Sequence, residues 1–172
     1  MAVLSPAGVP SSRNRNIIWV DAIADINAPK VTELTSTLAS LDFSCWLNAD
    51  WDGPGAEQSK DTDERWCGNK FETMGDVEYS MAELVYVVDP QATDQQGTNR
   101  AKVMLANNKR GFMVMRRGKD MNTTPVAGDK VDIYTVQLGV SMPASTASNE
   151  PLKNRQAVAV VGEVKLDVTV VA

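Results

Sequence analysis

The sequence contains no histidine. That one absence removes the commonest general base, the Ser-His-Asp and Cys-His arrangements, and most zinc sites. A carboxylate pair or a lysine could still do chemistry, but the burden of evidence falls on it. Cysteine is scarce as well: Cys45 and Cys67 stand far apart, outside any paired motif. In a chain made in a reducing compartment they are expected to be free thiols, mostly buried. No stretch approaches the roughly 20 apolar residues of a membrane span. Met1 to Arg15 has no apolar segment ahead of a cleavage site, so a secretory signal is not expected. Basic residues are outnumbered 17 to 22, for a net charge of -5 and a pI near 4.8. A sequence-independent nucleic-acid binder needs a basic surface, so that class loses ground. The acidity itself is ordinary for solubility.

What the chain does have is alternation. Val158, Val160, Val164, Leu166, Val168 and Val170 fall at even positions, with Glu163, Lys165, Asp167 and Thr169 at odd ones. A period of two predicts a strand over Gln156–Ala172 with a valine face on a core and a charged face away from it. Glu163, Lys165 and Asp167 define that second face. Glu163→Ala or Asp167→Ala is expected to shift stability by no more than roughly 0.5 kcal/mol, as at surface positions generally. So long a strand would span roughly 50 Å at about 3.3 Å per residue, so it must bend, and Gly162 is the place for a bulge. An apolar terminus of this kind stays ordered only when tied into a sheet.

The other elements follow from local pattern. Met1–Asn16, rich in Pro, Ser, Gly and Ala, reads as a flexible arm ahead of one domain over 17–172. Ile17–Val20 is a first strand. Val31–Leu41 fits a short helix or a strand and loop, and periodicity leaves both open. Asp42–Leu47 alternates and reads as a strand. Asn48–Asn69 is polar throughout and reads as a long loop, of the kind that is usually functional or disordered. Strands are expected at Lys70–Thr73 and Val77–Val88. Tyr79, Met81, Glu83, Val85 and Val87 share one face of the latter, with Leu84, Tyr86 and Val88 on the other. Thr98–Lys109 is the one helix, with Ala101, Met104 and Leu105 at helical spacing, Thr98 as N-cap and Gly111 as the stop. Strands at Phe112–Arg116 and Lys130–Leu138 flank a connection through Gly118–Asp129, and Met142–Arg155 is a polar excursion. Many short strands and one helix indicate a mainly β fold of two packed antiparallel sheets, a sandwich or partly open barrel with a flanking α-helix.

Each candidate for chemistry has a plainer explanation beside it. Asp50, Asp52, Gly55 and Asp61 have some of the spacing of a calcium loop. However, Pro54 occupies a ligand position and no glutamate closes the motif, so a solvated acidic loop fits better. Arg116-Arg117-Gly118-Lys119 could grip a phosphate, but a solvated hairpin tip is the commoner context. The four tryptophans lack the interleaved basic residues of a base-stacking surface. Trp19 and Trp46 fall in strands and read as core. Trp51 and Trp66 fall in the polar loop, where an aromatic marks a protein contact. With Arg116 and Arg117 they are the expected contacts between subunits. No glycine-rich phosphate loop, cofactor motif or metal motif is present. The chain therefore reads as a non-enzyme. A hydrolase working through Asp61 and Glu64 lacks a positioned acid-base pair, and a small β-barrel binding module for oligonucleotide or carbohydrate is the alternative from another class.

The order of the pieces resembles the major tail protein, or tail tube protein, of long non-contractile-tailed bacteriophages, particularly those of actinobacteria. The likeness is carried by Ile17–Val20 with Ala28–Leu34, by Phe43–Leu47, Glu83–Tyr86, Gly111–Gly118 and Ala127–Tyr134, and by Asn149–Lys153 with Gly162–Val170. It covers nearly everything from Asn16 onward and is weakest over 48–69. The resemblance implies a structural virion protein, made in the host bacterial cytoplasm, whose hexameric rings stack into a tube for genome ejection. Its partners would be itself, the tape measure, tail terminator and distal tail proteins. DNA would pass through without specific binding, and no membrane or cofactor would be involved. A tail terminator or a decoration protein is the neighbouring alternative.

Overall fold

A computed structural model describes residues 8–92, 97 and 99–172. Its elements run β1 (Arg15–Val20), α1 (Val31–Leu34), β2 (Ser40–Asp42), β3 (Pro54–Glu64), β4 (Lys70–Met81), β5 (Leu84–Val87), α2 (Arg100–Met104), β6 (Arg110–Arg117), β7 (Lys130–Pro143) and β8 (Lys153–Thr169). The first strand explains the architecture. Ile17-Ile18-Trp19-Val20 is apolar on both faces, as in a strand buried from both sides. It lies inside a six-stranded antiparallel sheet of order β2-β1-β6-β7-β8-β5.

One face of that sheet carries Ile17, Trp19, Met113, Met115, Tyr134, Val136 and Leu138. This larger core is closed by Phe43, Trp51, Leu84, Tyr86, Ala101 of α2 and Leu105 just after it. The other face carries Ile18, Val20, Val114, Val131 and Ile133, closed by Leu34 of α1, Ile23 and Val170. Gly111 does not stop a helix. It lies in β6, where a Cβ would sit 2.5 Å from the Trp19 ring and 2.8 Å from the Val20 carbonyl oxygen. The expected helix over 98–109 contracts to Arg100–Met104, still presenting Ala101 and Leu105 inward; its expected cap, Thr98, lies outside the described residues. Both readings of 31–41 are partly realised, as a one-turn helix followed by β2. The fold class is the expected one, mainly β, with two short helices in place of one and a second sheet of only two strands.

Four expectations are overturned. Residues 43–47 form a turn, not a strand, because the Trp46 and Leu47 amides both donate to the Phe43 carbonyl. The polar segment 48–69 is not a loop, since most of it is β3, paired residue by residue with β4. The expected strand Val77–Val88 breaks at Ala82-Glu83, which separates β4 from β5. Both cysteines are exposed rather than buried.

The valine alternation of β8 holds only in stretches. Val136 pairs with Val160 and Tyr134 with Val164, so Val161, Gly162 and Glu163 bulge opposite Thr135 alone. Gly162 is the residue that permits this, because a Cβ there would meet the Thr135 methyl at 2.9 Å. A second bulge places Leu166 and Asp167 opposite Asp132. Asp167 adopts φ 59, and its amide donates to the Asp132 carboxylate at 2.9 Å. The second bulge reverses the strand's faces. Val158, Val160 and Val164 pack on the larger core and Val168 on the smaller one. Leu166, expected in the core, is turned out to 53% exposure.

Candidate assembly surfaces

Two parts of the molecule present backbone or apolar surface that no other described residue covers. The first is the β3–β4 hairpin. Eleven residues of β3 run beside twelve of β4, so the arm reaches roughly 35 Å at about 3.3 Å per residue. Its base is anchored, because Tyr79 and Met81 pack on the larger core and the Trp51 indole N–H donates to the Ala82 carbonyl at 3.3 Å. Beyond Tyr79 the β4 apolar residues Val77, Met74 and Phe71 are exposed. The tip is a three-residue turn, Trp66-Cys67-Gly68, inside the Arg65–Asn69 hydrogen bond, with Gly68 at φ 78. That is the positive φ such a turn requires. The arm carries seven acidic and three basic residues, and so holds -4 of the chain's net -5.

The second is the outer edge of β8. β5 pairs with it only from Lys153 to Gln156. From Ala157 to Thr169 it has β7 on one side and no strand on the other among the described residues. An unpaired edge is a template for another strand unless it is interrupted or charged. This one has both guards: two bulges and the Glu163–Lys165 ion pair at 2.5 Å. Glu163 and Asp167 are exposed and Lys165 is half-buried.

The residues expected at subunit contacts separate into two kinds. Trp66 is fully exposed at the arm's tip, whereas Trp51 is buried in the core. The polar context that suggested a contact for Trp51 is local sequence only, since the chain folds back over it. Arg116 is not at a solvated tip. It is 1% exposed, and its guanidinium donates to Asn16 Oδ1 at 2.8 and 3.2 Å, to Asp129 Oδ2 at 3.0 Å, and to the Asp120 and Thr123 carbonyls. It thereby ties the 118–129 connection to β1. Burial acting alone would raise the Asp129 carboxyl. The Val126 amide and the Arg116 guanidinium outweigh it and hold the group below its ordinary value. Arg117 does reach the surface and pairs with Asp132 at 2.6 Å. Asp132 itself is buried, and it was not singled out from sequence. With one oxygen on Arg117 and the other on the Asp167 amide, it fixes the second bulge of β8. The only advance sign was a carboxylate amid an apolar strand, Val131-Asp132-Ile133.

An antiparallel β-body with an extended acidic hairpin and an unpaired sheet edge defines the class of fold. A profile of the phage tail tube protein family matches residues 3–172. The chain belongs to that family, and is therefore a structural component of the virion tail. No curated protein matches in sequence. Among solved structures, one similar chain comes from a cryo-EM structure of an extracellular contractile injection system, the PVC sheath/tube terminator in the extended state. It is 13% identical with a TM-score of 0.54, covering 95% of this chain and 98% of that one. At that identity the likeness is one of fold.

Proposed function

We propose that this chain assembles with copies of itself into rings, hexameric in the leading form, which stack into the tail tube and conduct the genome at ejection. The observation that carries the reading is the β3–β4 arm. An isolated two-stranded hairpin is marginal in water, and this one holds Val77, Met74 and Phe71 exposed among the described residues, where a neighbouring chain would cover them. The edge of β8 does not carry the reading, since its two bulges and the Glu163–Lys165 ion pair guard it against strand pairing. A net charge of -5 suits a conduit through which DNA must slide without being held. Other tail proteins would meet the two ends of such a tube.

Concentrating the purified protein and imaging it by electron microscopy tests this, with light scattering across the same series. Stacked rings or hollow tubes are expected, and a strictly monomeric protein at high concentration would overturn the reading. The similar fold of a sheath/tube terminator favours a second reading, in which the chain caps a tube. Single rings that never stack would select it.

A further inference from the structure

We propose that the tip of the β3–β4 arm of one copy seats in a cleft on a second copy, between the N-terminal segment Ser11–Arg15 and the turn Ser44–Ala49. Trp66 would enter the cleft, with Cys67 beside Cys45. The proposal rests on the self-assembly reading and names the receptor for its arm.

The cleft has a volume of about 540 Å³, within the roughly 300–1,000 Å³ of pockets that take up a bulky group. Its apolar lining comes from Ile17, Leu47 and Trp51, and its charges from Arg13 and Arg15, with no carboxylate among its lining residues. The arm has the opposite character. It holds -4 of the net charge, and at its end stands a fully exposed tryptophan on a hydrogen-bonded three-residue turn. Two of the acidic side chains near the tip pair within the arm, Asp63 with Arg65 and Glu64 with Lys70, leaving Asp61 without an ion pair among the described residues. A large aromatic anchor entering a mixed cleft, its ring against the apolar residues and opposite charges around it, is how an interface concentrates its affinity and sets its register. The arm's reach places the tip far from its own root, so the occupant is a second copy. The chain's two cysteines fall one on each side of this contact, Cys67 next to Trp66 and Cys45 in the cleft wall, and both are exposed.

Those native thiols provide the test. Assembled full-length protein is treated with a short bismaleimide, run on a reducing gel, and the linked peptides are identified by mass spectrometry. Covalent ladders joined by Cys45–Cys67 links are expected, lost equally in Cys45→Ser and in Cys67→Ser. Tubes that form without the link would overturn the proposal while leaving assembly intact. So would a ladder that persists in Cys45→Ser, because that means tip meets tip. Failure to assemble at all would sink the assembly reading, and the docking with it. Trp66→Ala and the double change Arg13→Glu, Arg15→Glu are each expected to weaken association at least tenfold with an unchanged monomer melt. Wild-type assembly by Trp66→Ala would count as decisively against the proposal as a missing link.

Discussion

The body and the arm of this molecule are built on opposite terms. In the body, strands bury both faces, and buried side-chain nitrogen and oxygen atoms all find hydrogen-bond partners among the described residues. In the arm, the ion pairs Lys60–Glu72, Asp63–Arg65 and Glu64–Lys70 are all more than half exposed, and such pairs add little. Stability therefore resides in the body. The arm's order comes from backbone pairing of β3 with β4, and this is why a polar, charge-dense segment can be an ordered strand pair. Breaking that division should be easiest at the two tryptophans that sequence alone treats as equivalent.

The largest effect is expected there. Trp51→Ala empties a site in the core and should cost about 3–5 kcal/mol. Trp66→Ala removes a side chain that is fully exposed among the described residues and should leave the monomer's thermal melt where it was. If the two variants melt alike, the arm belongs to the folding unit and the comparison with the body fails.

Arg116 sharpens the body's side. Replacing it with Met leaves the buried Asp129 carboxylate only the Val126 amide and the exposed Lys119 ammonium at 3.8 Å, at a cost of about 3 kcal/mol, as at the low end for a broken buried pair. Because the folded-state value of Asp129 is depressed, the pair's contribution is fully present above the unfolded value near pH 3.9. It is lost as pH falls through the lower folded value. Urea melts between pH 7 and pH 2.5 should show the wild type losing stability below about pH 4, with Arg116→Met flatter across that window. Parallel curves for the two proteins would mean that the ion pair is not what acid removes.

Much of the body was legible because its signal is local. The apolar run of β1, the alternation in β7 and β8, and the spacing of Ala101 and Leu105 each state a burial pattern within one segment. Gly162 was readable as a bulge because a strand of that length cannot stay straight. The arm was illegible for the converse reason: β3 has no apolar face, and its partner lies beyond a turn whose only marker is Gly68. Arg116 reads from sequence as a solvated tip because its burial depends on Asn16, 100 residues away, and on a carboxylate 13 residues on. A basic cluster looks the same in sequence whether its guanidinium is solvated or caged. Trp51 was misplaced similarly, its polar neighbours saying nothing of the Ala82 carbonyl that receives its N–H.

The smallest effect is expected at Asp167, and it tests how the body's last strand is drawn. Simple alternation makes this a surface position where alanine changes almost nothing. The structure changes the forecast, because Asp167 sits in a bulge at φ 59, a left-handed conformation that Asp and Asn tolerate and alanine resists. Its carboxylate makes no hydrogen bond or ion pair among the described residues, so the backbone is the main term left to change. Asp167→Ala should therefore cost about 1 kcal/mol. Asp167→Val should cost more, and Asp167→Gly should stay within about 0.5 kcal/mol, because relief at φ 59 is offset by a floppier unfolded chain. Chemical denaturation of the three variants gives the order directly. If alanine and glycine are indistinguishable from wild type and valine is harmless too, the strand runs without its second bulge. Leu166 would then return to the core, as the uninterrupted alternation of β8 would have it.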